Sequence, residues 1–149
     1  MHHTTPSKHI LVYADDDIDD LQLVNEAMSV YKDSVDVFLF NSGMEAYEFL
    51  LDMEKRSEKP CLILLDMNMP GMSGKELLPI IRRIEFFDDV PVSLFTTSSA
   101  RHDYQFALQF DAGFITKPMN FKQLDVIAEQ FLSHCRKEVR EMIGGNHNS

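Results

Sequence analysis

The sequence predicts an α/β protein with a doubly wound parallel sheet, in which helices cover both faces. Short apolar runs and segments of helical periodicity alternate along the 149 residues. The apolar run CLILL, at residues 61–65, has no polar position, as expected for a strand that is buried on both faces. A chain of this length suits one domain, so we expect a single sheet.

Each strand is predicted from a short apolar run that a polar segment follows. The predicted strands are His9–Ala14, Val35–Phe40, Cys61–Leu65, Pro91–Phe95 and Gly113–Thr116. The first helix is predicted over Asp19–Tyr31, because apolar Leu21, Val24 and Met28 recur at spacings of three and four residues. That apolar side of the helix should face the sheet.

The next two helices are predicted from their start signals. Ser42 with Glu45, and Ser73 with Glu76, have the spacing of a capping box, in which the serine and the acid satisfy free backbone N–H groups. Pro79 lies inside the third helix, where it removes a backbone hydrogen bond and should kink or loosen the helix.

The last two helices complete the alternation. A fourth helix is predicted around Asp103–Phe110, and a fifth is capped by Asn120 with Gln123 and ends near Met142. The inner side of the fifth helix is an apolar stripe of Leu124, Ile127, Phe131 and Leu132. We therefore expect a flexible N-terminus at residues 1–8, one domain at 9–142 and a disordered tail at 143–149.

Composition excludes several classes of function. The net charge is −10, with 24 acids against 14 bases, so neither a nucleic-acid surface nor an anionic membrane surface is expected. Apolar runs stay well short of the ~20 residues that a membrane span needs, and the polar start MHHTTPSKH is unlike a signal peptide. A cytoplasmic protein is expected. Cys61 and Cys135 lie in apolar segments without metal-ligand spacing, which predicts buried or half-buried thiols.

Polar side chains stand where four of the predicted strands end. Asp15 and Asp16 follow the first strand, Asp66 the third, Thr96 the fourth and Lys117 the fifth. Ligands of open parallel sheets bind at the carboxyl ends of the strands, so a central first strand would bring these groups together. Clustered carboxylates favour Mg²⁺, and an ionised carboxylate beside a hydroxyl and an ammonium group can act as nucleophile toward a phosphoryl group.

The other acids of this first run have a structural explanation. Asp17 stands at the start of the first helix, where an aspartate caps free N–H groups. Asp19 and Asp20 follow in the first turn, where negative charge suits the helix dipole. We therefore expect substitution of Asp20 to change little.

Four segments carry a family resemblance: LVYADDD, LILLDMNMPGMSG, PVSLFTTSS and AGFITKPM. In this order and spacing they resemble the receiver domain of two-component response regulators, of the single-domain chemotaxis-regulator type. The resemblance covers residues 8 to 137. It implies a flavodoxin-like (βα)5 fold with strand order 2-1-3-4-5.

The resemblance also implies roles at the strand ends. Asp66 resembles the aspartate that is phosphorylated, and Asp15 and Asp16 resemble the acidic pair that binds Mg²⁺, or Mn²⁺ in its place. Asn68 matches the position whose backbone carbonyl completes the metal site. Thr96 matches the hydroxyl that approaches the phosphoryl group.

Three further positions follow from the same resemblance. Lys117 matches the lysine that bonds the phosphoryl group, and a cis Lys117–Pro118 peptide bond is implied. Phe114 occupies the aromatic switch position, but without the hydroxyl of the commoner tyrosine. Thr97 replaces a smaller residue and should narrow access to Asp66. Asn68 and Ser98 are both uncharged, and in the family these two positions tune the attack of water on the phosphoryl group.

These observations predict a stand-alone signalling receiver. It would accept a phosphoryl group from a histidine kinase or a phosphotransfer protein, act through a downstream protein target, and exist as a monomer or a phosphorylation-linked homodimer. It would catalyse only its own phosphorylation and dephosphorylation. The alternative is a Mg²⁺-dependent phosphatase of the haloacid dehalogenase type, although such enzymes carry the nucleophile on the first strand in a D-x-D pattern.

Overall fold

The computed structural model describes residues 8–118 and 124–135. Its core is a five-stranded parallel sheet with the order β2-β1-β3-β4-β5. The strands are β1 (His9–Ala14), β2 (Val35–Phe40), β3 (Leu62–Leu65), β4 (Val92–Thr96) and β5 (Gly113–Thr116). The helices are α1 (Ile18–Met28), α2 (Gly43–Lys55), α3 (Gly74–Arg82), α4 (Arg101–Gln109) and α5 (Leu124–Ser133). The predicted flavodoxin-like fold and strand order are confirmed.

Two apolar layers cover the sheet, one on each face. Helices α1 and α5 pack on one face, where Val24 and Phe131 are fully buried. Helices α2, α3 and α4 pack on the other face, where Leu50 and Leu77 are fully buried. Because both faces of β3 are covered, all four of its residues are buried, which explains the absence of polar alternation in CLILL.

The element boundaries differ from the predicted ones by small amounts. Three strands have the predicted bounds, whereas β3 begins at Leu62 and β4 ends at Thr96. Helix α1 ends at Met28 and a short 3-10 turn continues to Tyr31. Helix α3 continues through Pro79.

Two of the predicted helix starts are capped as expected. Asp17 accepts hydrogen bonds from the backbone of the first turn of α1. Ser73 and Glu76 form the complete capping box of α3, whereas Ser42 contributes only the serine half at α2. The predicted caps of the last helix, Asn120 and Gln123, lie outside the described residues, as do its predicted end and both termini.

Two other expectations concern the cysteines and membranes. Cys61 and Cys135 are buried thiols and form no disulfide with each other. Across residues 8–118 and 124–135, no helix combines the length and the apolar character that crossing a bilayer requires.

Candidate functional site

The carboxyl ends of four strands build one acidic pocket. The backbone N–H of Asp15 donates to the carbonyl oxygen of Phe40 at 3.0 Å, and that of Asp66 donates to the carbonyl oxygen of Ala14 at 3.0 Å. The backbone hydrogen bonds of the sheet therefore extend to both aspartates. Thr96 is the last residue of β4, and the backbone N–H of Lys117 donates to its carbonyl at 2.6 Å. The sheet therefore holds the backbone of these four residues at its carboxyl-terminal edge.

Asp15 is fully buried and has three donors. Its Oδ2 accepts hydrogen bonds from the hydroxyl of Tyr13 and, at 2.6 Å, from Nζ of Lys117. Its Oδ1 accepts from the backbone N–H of Asp17 at 3.0 Å. Burying an ionised carboxylate is costly unless donors compensate for lost hydration, and these three groups do so.

Asp15, Asp16 and Asp66 form a candidate cation site. One oxygen from each carboxylate lies within 4.8 Å of the others, with Asp15 and Asp66 buried and Asp16 exposed. Three convergent carboxylate oxygens with an opening to solvent suit Mg²⁺, which keeps part of its water shell. The donor set also suits Mn²⁺. The residues present therefore fit the predicted metal.

The electrostatic surroundings of Asp66 are unusual for an aspartate. Burial raises its pKa, and the negative charge of Asp15 raises it further. The charge of Lys117 and a backbone hydrogen bond from Asn68 act in the opposite direction, which leaves the pKa at about 6 against an ordinary 3.8. Asp66 is therefore mainly ionised at neutral pH, in a pocket that favours neutralisation of its charge.

Lys117 is the only ammonium group among the described residues that contacts these carboxylates. Its Nζ lies 2.6 Å from Asp15 Oδ2, 2.8 Å from Asp20 Oδ2 and 3.6 Å from Asp66 Oδ1. Burial alone lowers the pKa of Lys117, but the hydrogen bonds to Asp15 and Asp20 outweigh burial and raise it to about 12. Lys117 is therefore charged throughout the physiological range.

Asp20 is a site residue that sequence reasoning missed. The sequence predicts for it only a place in the first turn of α1, yet its carboxylate lies 2.8 Å from Nζ of Lys117. The available signal was its position three residues after the N-cap, Asp17, since that position is adjacent to the strand end that leads into the helix.

A polar network extends from Thr96 along the β4–α4 loop. Thr96 is fully buried, and its Oγ1 accepts a hydrogen bond from the backbone N–H of Ser98 at 3.2 Å. The hydroxyl of Ser98 donates to Asp103 at 2.5 Å, and Asp103 pairs with Lys75 of α3 at 2.7 Å. Ser98 is therefore tied to α4, a contact that its sequence position did not predict.

The remaining predicted residues, Thr97, Asn68 and Phe114, are exposed or half-buried. Thr97 and Asn68 are exposed. Phe114 is half-buried on β5 and meets Tyr104 of α4 edge-to-face, with ring centroids 5.8 Å apart.

The predicted cis peptide bond is wrong for this structure. In the described part of the chain every peptide bond is trans, including Lys117–Pro118. A trans X–Pro bond is intrinsically favoured by about 0.5–1 kcal/mol. The Lys117 ammonium still reaches the pocket, because Asp15 and Asp20 bind it there.

The structure thus combines a doubly wound parallel sheet with a cluster of three aspartates at the carboxyl-terminal edge of that sheet. The family described as "Response regulator receiver domain" matches residues 10–129. This chain therefore belongs to the response regulator receiver family, whose members signal in two-component systems rather than act as catalytic enzymes. The phosphatase alternative is thereby ruled out.

Individual relatives agree with this assignment. Response regulator Rcp1 of Synechocystis is 30% identical over 124 residues, which cover 81% of this chain and 84% of Rcp1. The phosphorylated cyanobacterial phytochrome response regulator RcpA is 27% identical, with a TM-score of 0.76 over 87% of this chain and 98% of RcpA. The Mn²⁺-bound form of Rcp1 is 26% identical, with a TM-score of 0.65 over 92% of this chain and 90% of that one.

Proposed function

We propose that this chain accepts a phosphoryl group on Asp66 in a Mg²⁺-dependent reaction, from a histidine kinase or a histidine phosphotransfer protein. Phosphorylation would then change its contacts with a downstream protein. The observation that carries this proposal is the position of Asp66, whose carboxylate shares one pocket with Asp15, Asp16 and the ammonium group of Lys117.

The chemistry needs no separate general base. A carboxylate oxygen of Asp66 attacks the phosphorus of a phosphohistidine, and a P–O bond forms while the P–N bond breaks. The electron pair of the broken bond stays on the imidazole nitrogen of the donor. Because the pKa of Asp66 is about 6, its nucleophilic form predominates at neutral pH.

The residues around Asp66 have distinct roles in this proposal. Asp15 and Asp16, with Asp66 itself and the backbone carbonyl of Asn68, would hold the metal ion. Mg²⁺, when bound, supplies positive charge that offsets the charge of the phosphoryl oxygens. Lys117 donates to one phosphoryl oxygen, and the hydroxyl of Thr96 donates to another after a small movement.

The relatives support the metal and the modification. A solved structure of Rcp1 is the Mn²⁺-bound form, and the solved structure of RcpA is phosphorylated. Signalling would be a shift between two conformers, in which the Thr96 loop and the half-buried ring of Phe114 change position. The exposed Thr97 would limit the size of donor that reaches Asp66.

The proposal is tested with acetyl phosphate as a small donor and with intact-protein mass spectrometry. We expect one phosphoryl group per chain in the presence of Mg²⁺ or Mn²⁺ and none with EDTA. Asp66→Asn should abolish labelling, whereas Asp33→Asn, at an exposed aspartate outside the pocket, should leave it intact. Labelling that persists in Asp66→Asn would disprove the assignment. The same samples, sized with and without beryllofluoride, decide between a monomer and a phosphorylation-linked dimer.

A further inference from the structure

We propose that Asp20 is a positioning residue that holds the Lys117 ammonium group in the unphosphorylated site and competes with the incoming phosphoryl group for it. The inference rests on the proposed role of Asp66 as phosphoacceptor. Asp20 lies outside the four segments that carry the family resemblance, and we infer that it weakens binding of the phosphoryl group.

The distances carry the argument. Nζ of Lys117 lies at hydrogen-bond distance from Asp15 and from Asp20, at 2.6 and 2.8 Å, but 3.6 Å from Asp66. A separation of 3.6 Å is too long for a hydrogen bond. The ammonium group is therefore bound by Asp15, which follows β1, and by Asp20 of α1. It is not hydrogen-bonded to Asp66, whose phosphoryl group it must contact after phosphorylation.

Burial strengthens the ion pair between Lys117 and Asp20. The side chains of Lys117 and Asp20 are only 7% and 16% exposed. Water screens an ion pair in such surroundings far less than at the surface, so exchanging one acceptor for another changes the free energy appreciably. Asp20 also adds negative charge to a pocket that must admit a phosphoryl anion.

Asp19 and Asp20 have different surroundings in the first turn of α1. Asp17 caps the helix by accepting hydrogen bonds from the backbone N–H groups of Asp19 and Asp20. Asp19 then faces solvent, while Asp20 turns toward Lys117. Asp19→Asn is therefore a matched control, since it removes the same charge from the same helical turn without breaking the contact with Lys117.

Replacement of Asp20 by asparagine has two effects, and both favour binding of a phosphoryl group. An amide oxygen attracts an ammonium group more weakly than a carboxylate does, so Lys117 becomes available to the phosphoryl oxygens. Repulsion between the pocket and the incoming anion also decreases. We expect Asp20→Asn to tighten binding of a phosphoryl analogue by roughly tenfold, the size of one charge-assisted hydrogen bond.

The test is a titration of the full chain with beryllofluoride at saturating Mg²⁺, followed by ¹⁹F NMR, with saturation verified for each variant. Asp20→Asn and Asp20→Ser should bind about tenfold more tightly than wild type, and Asp19→Asn less than threefold more tightly. In a Lys117→Ala background the effect of Asp20→Asn should shrink to that of Asp19→Asn, because the competition requires the ammonium group.

Three results would contradict the proposal. Unchanged or weaker binding in both Asp20 variants overturns the competition, since Asp20 would then only orient Lys117 or support α1. An equal gain in Asp19→Asn and Asp20→Asn also overturns it, because through-space charge would be sufficient. If wild type itself fails to bind beryllofluoride, or Asp66→Asn still binds it, the proposed function fails and this inference fails with it.

Discussion

Asp66→Asn should stabilise the metal-free protein at neutral and alkaline pH. The wild-type carboxylate is ionised there in a pocket that raises its pKa, chiefly by burial and then by the charge of Asp15. An asparagine has nearly the same shape and no charge. The substitution therefore removes an electrostatic cost that the unfolded chain does not bear.

The structure sets the magnitude. The pKa of Asp66 is about 6 in the folded protein against 3.8 ordinarily. Each pKa unit corresponds to about 1.4 kcal/mol, so the folded state loses roughly 3 kcal/mol once Asp66 is ionised in both states. A raised folded pKa means that this stability is intact below about pH 4 and is lost as pH rises through about 6. The free energy of unfolding of Asp66→Asn should therefore exceed that of wild type by an amount that grows over the same pH range.

Urea unfolding followed by circular dichroism measures this difference. With EDTA we expect Asp66→Asn to exceed wild type by about 1–3 kcal/mol at about pH 8, by half as much at about pH 5, and by little at about pH 4. Asp33→Asn, at an exposed position, is the control and should show no such trend. Equal stability of Asp66→Asn and wild type at about pH 8 would show that the ionised Asp66 does not destabilise the fold.

Mg²⁺ should reduce the stability advantage of Asp66→Asn over wild type. A ligand that binds only the folded state stabilises it by an amount that grows with its concentration relative to Kd. Asp66→Asn retains only two of the three clustered carboxylates and should therefore gain less from Mg²⁺ than wild type does. An equal gain in both proteins would remove Asp66 from the metal site.

Three further substitutions test other contacts. Tyr13→Phe keeps the ring but removes the hydroxyl that donates to Asp15, so urea unfolding should show a loss of about 1.5–3 kcal/mol; a loss below about 0.5 kcal/mol would contradict this. Hydrogen bonds hold the pKa of Asp103 below its usual range. It therefore stabilises the fold above about pH 4, and the deficit of Asp103→Asn should vanish as pH falls further; a deficit independent of pH would contradict this. Thr97→Ala should accelerate labelling of Asp66 by acetyl phosphate, and an unchanged rate would show that Thr97 does not limit access.

Most of the fold and of the pocket could be predicted because both depend on features that are local in the chain. Apolar runs identify the strands, and parallel strands bring their carboxyl ends to one edge of the sheet. Asp15, Asp66, Thr96 and Lys117 stand at or next to strand ends, so their convergence needs no knowledge of side-chain conformation. The same reasoning identified Asp17 as the cap of α1.

The missed features depend on contacts between side chains that are distant in sequence. Asp20 and Lys117 are 97 positions apart, and their contact depends on the rotamer of a long lysine. The ion pair between Lys75 and Asp103 likewise depends on how α4 packs beside α3. The Lys117–Pro118 bond was predicted to be cis by resemblance alone, and no local property of the sequence distinguishes the two isomers.

We propose above all that Asp66 accepts the phosphoryl group beside a metal ion held by Asp15 and Asp16. A crystal structure of the full chain with Mg²⁺ and beryllofluoride would show the acceptor residue and the metal ligands together. We predict beryllofluoride on a carboxylate oxygen of Asp66, a metal ion bound by Asp15 and Asp16, and Lys117 moved from Asp20 to a fluorine atom. An adduct on another carboxylate, or a metal ion bound without Asp15 and Asp16, would show that these aspartates do not have the proposed roles.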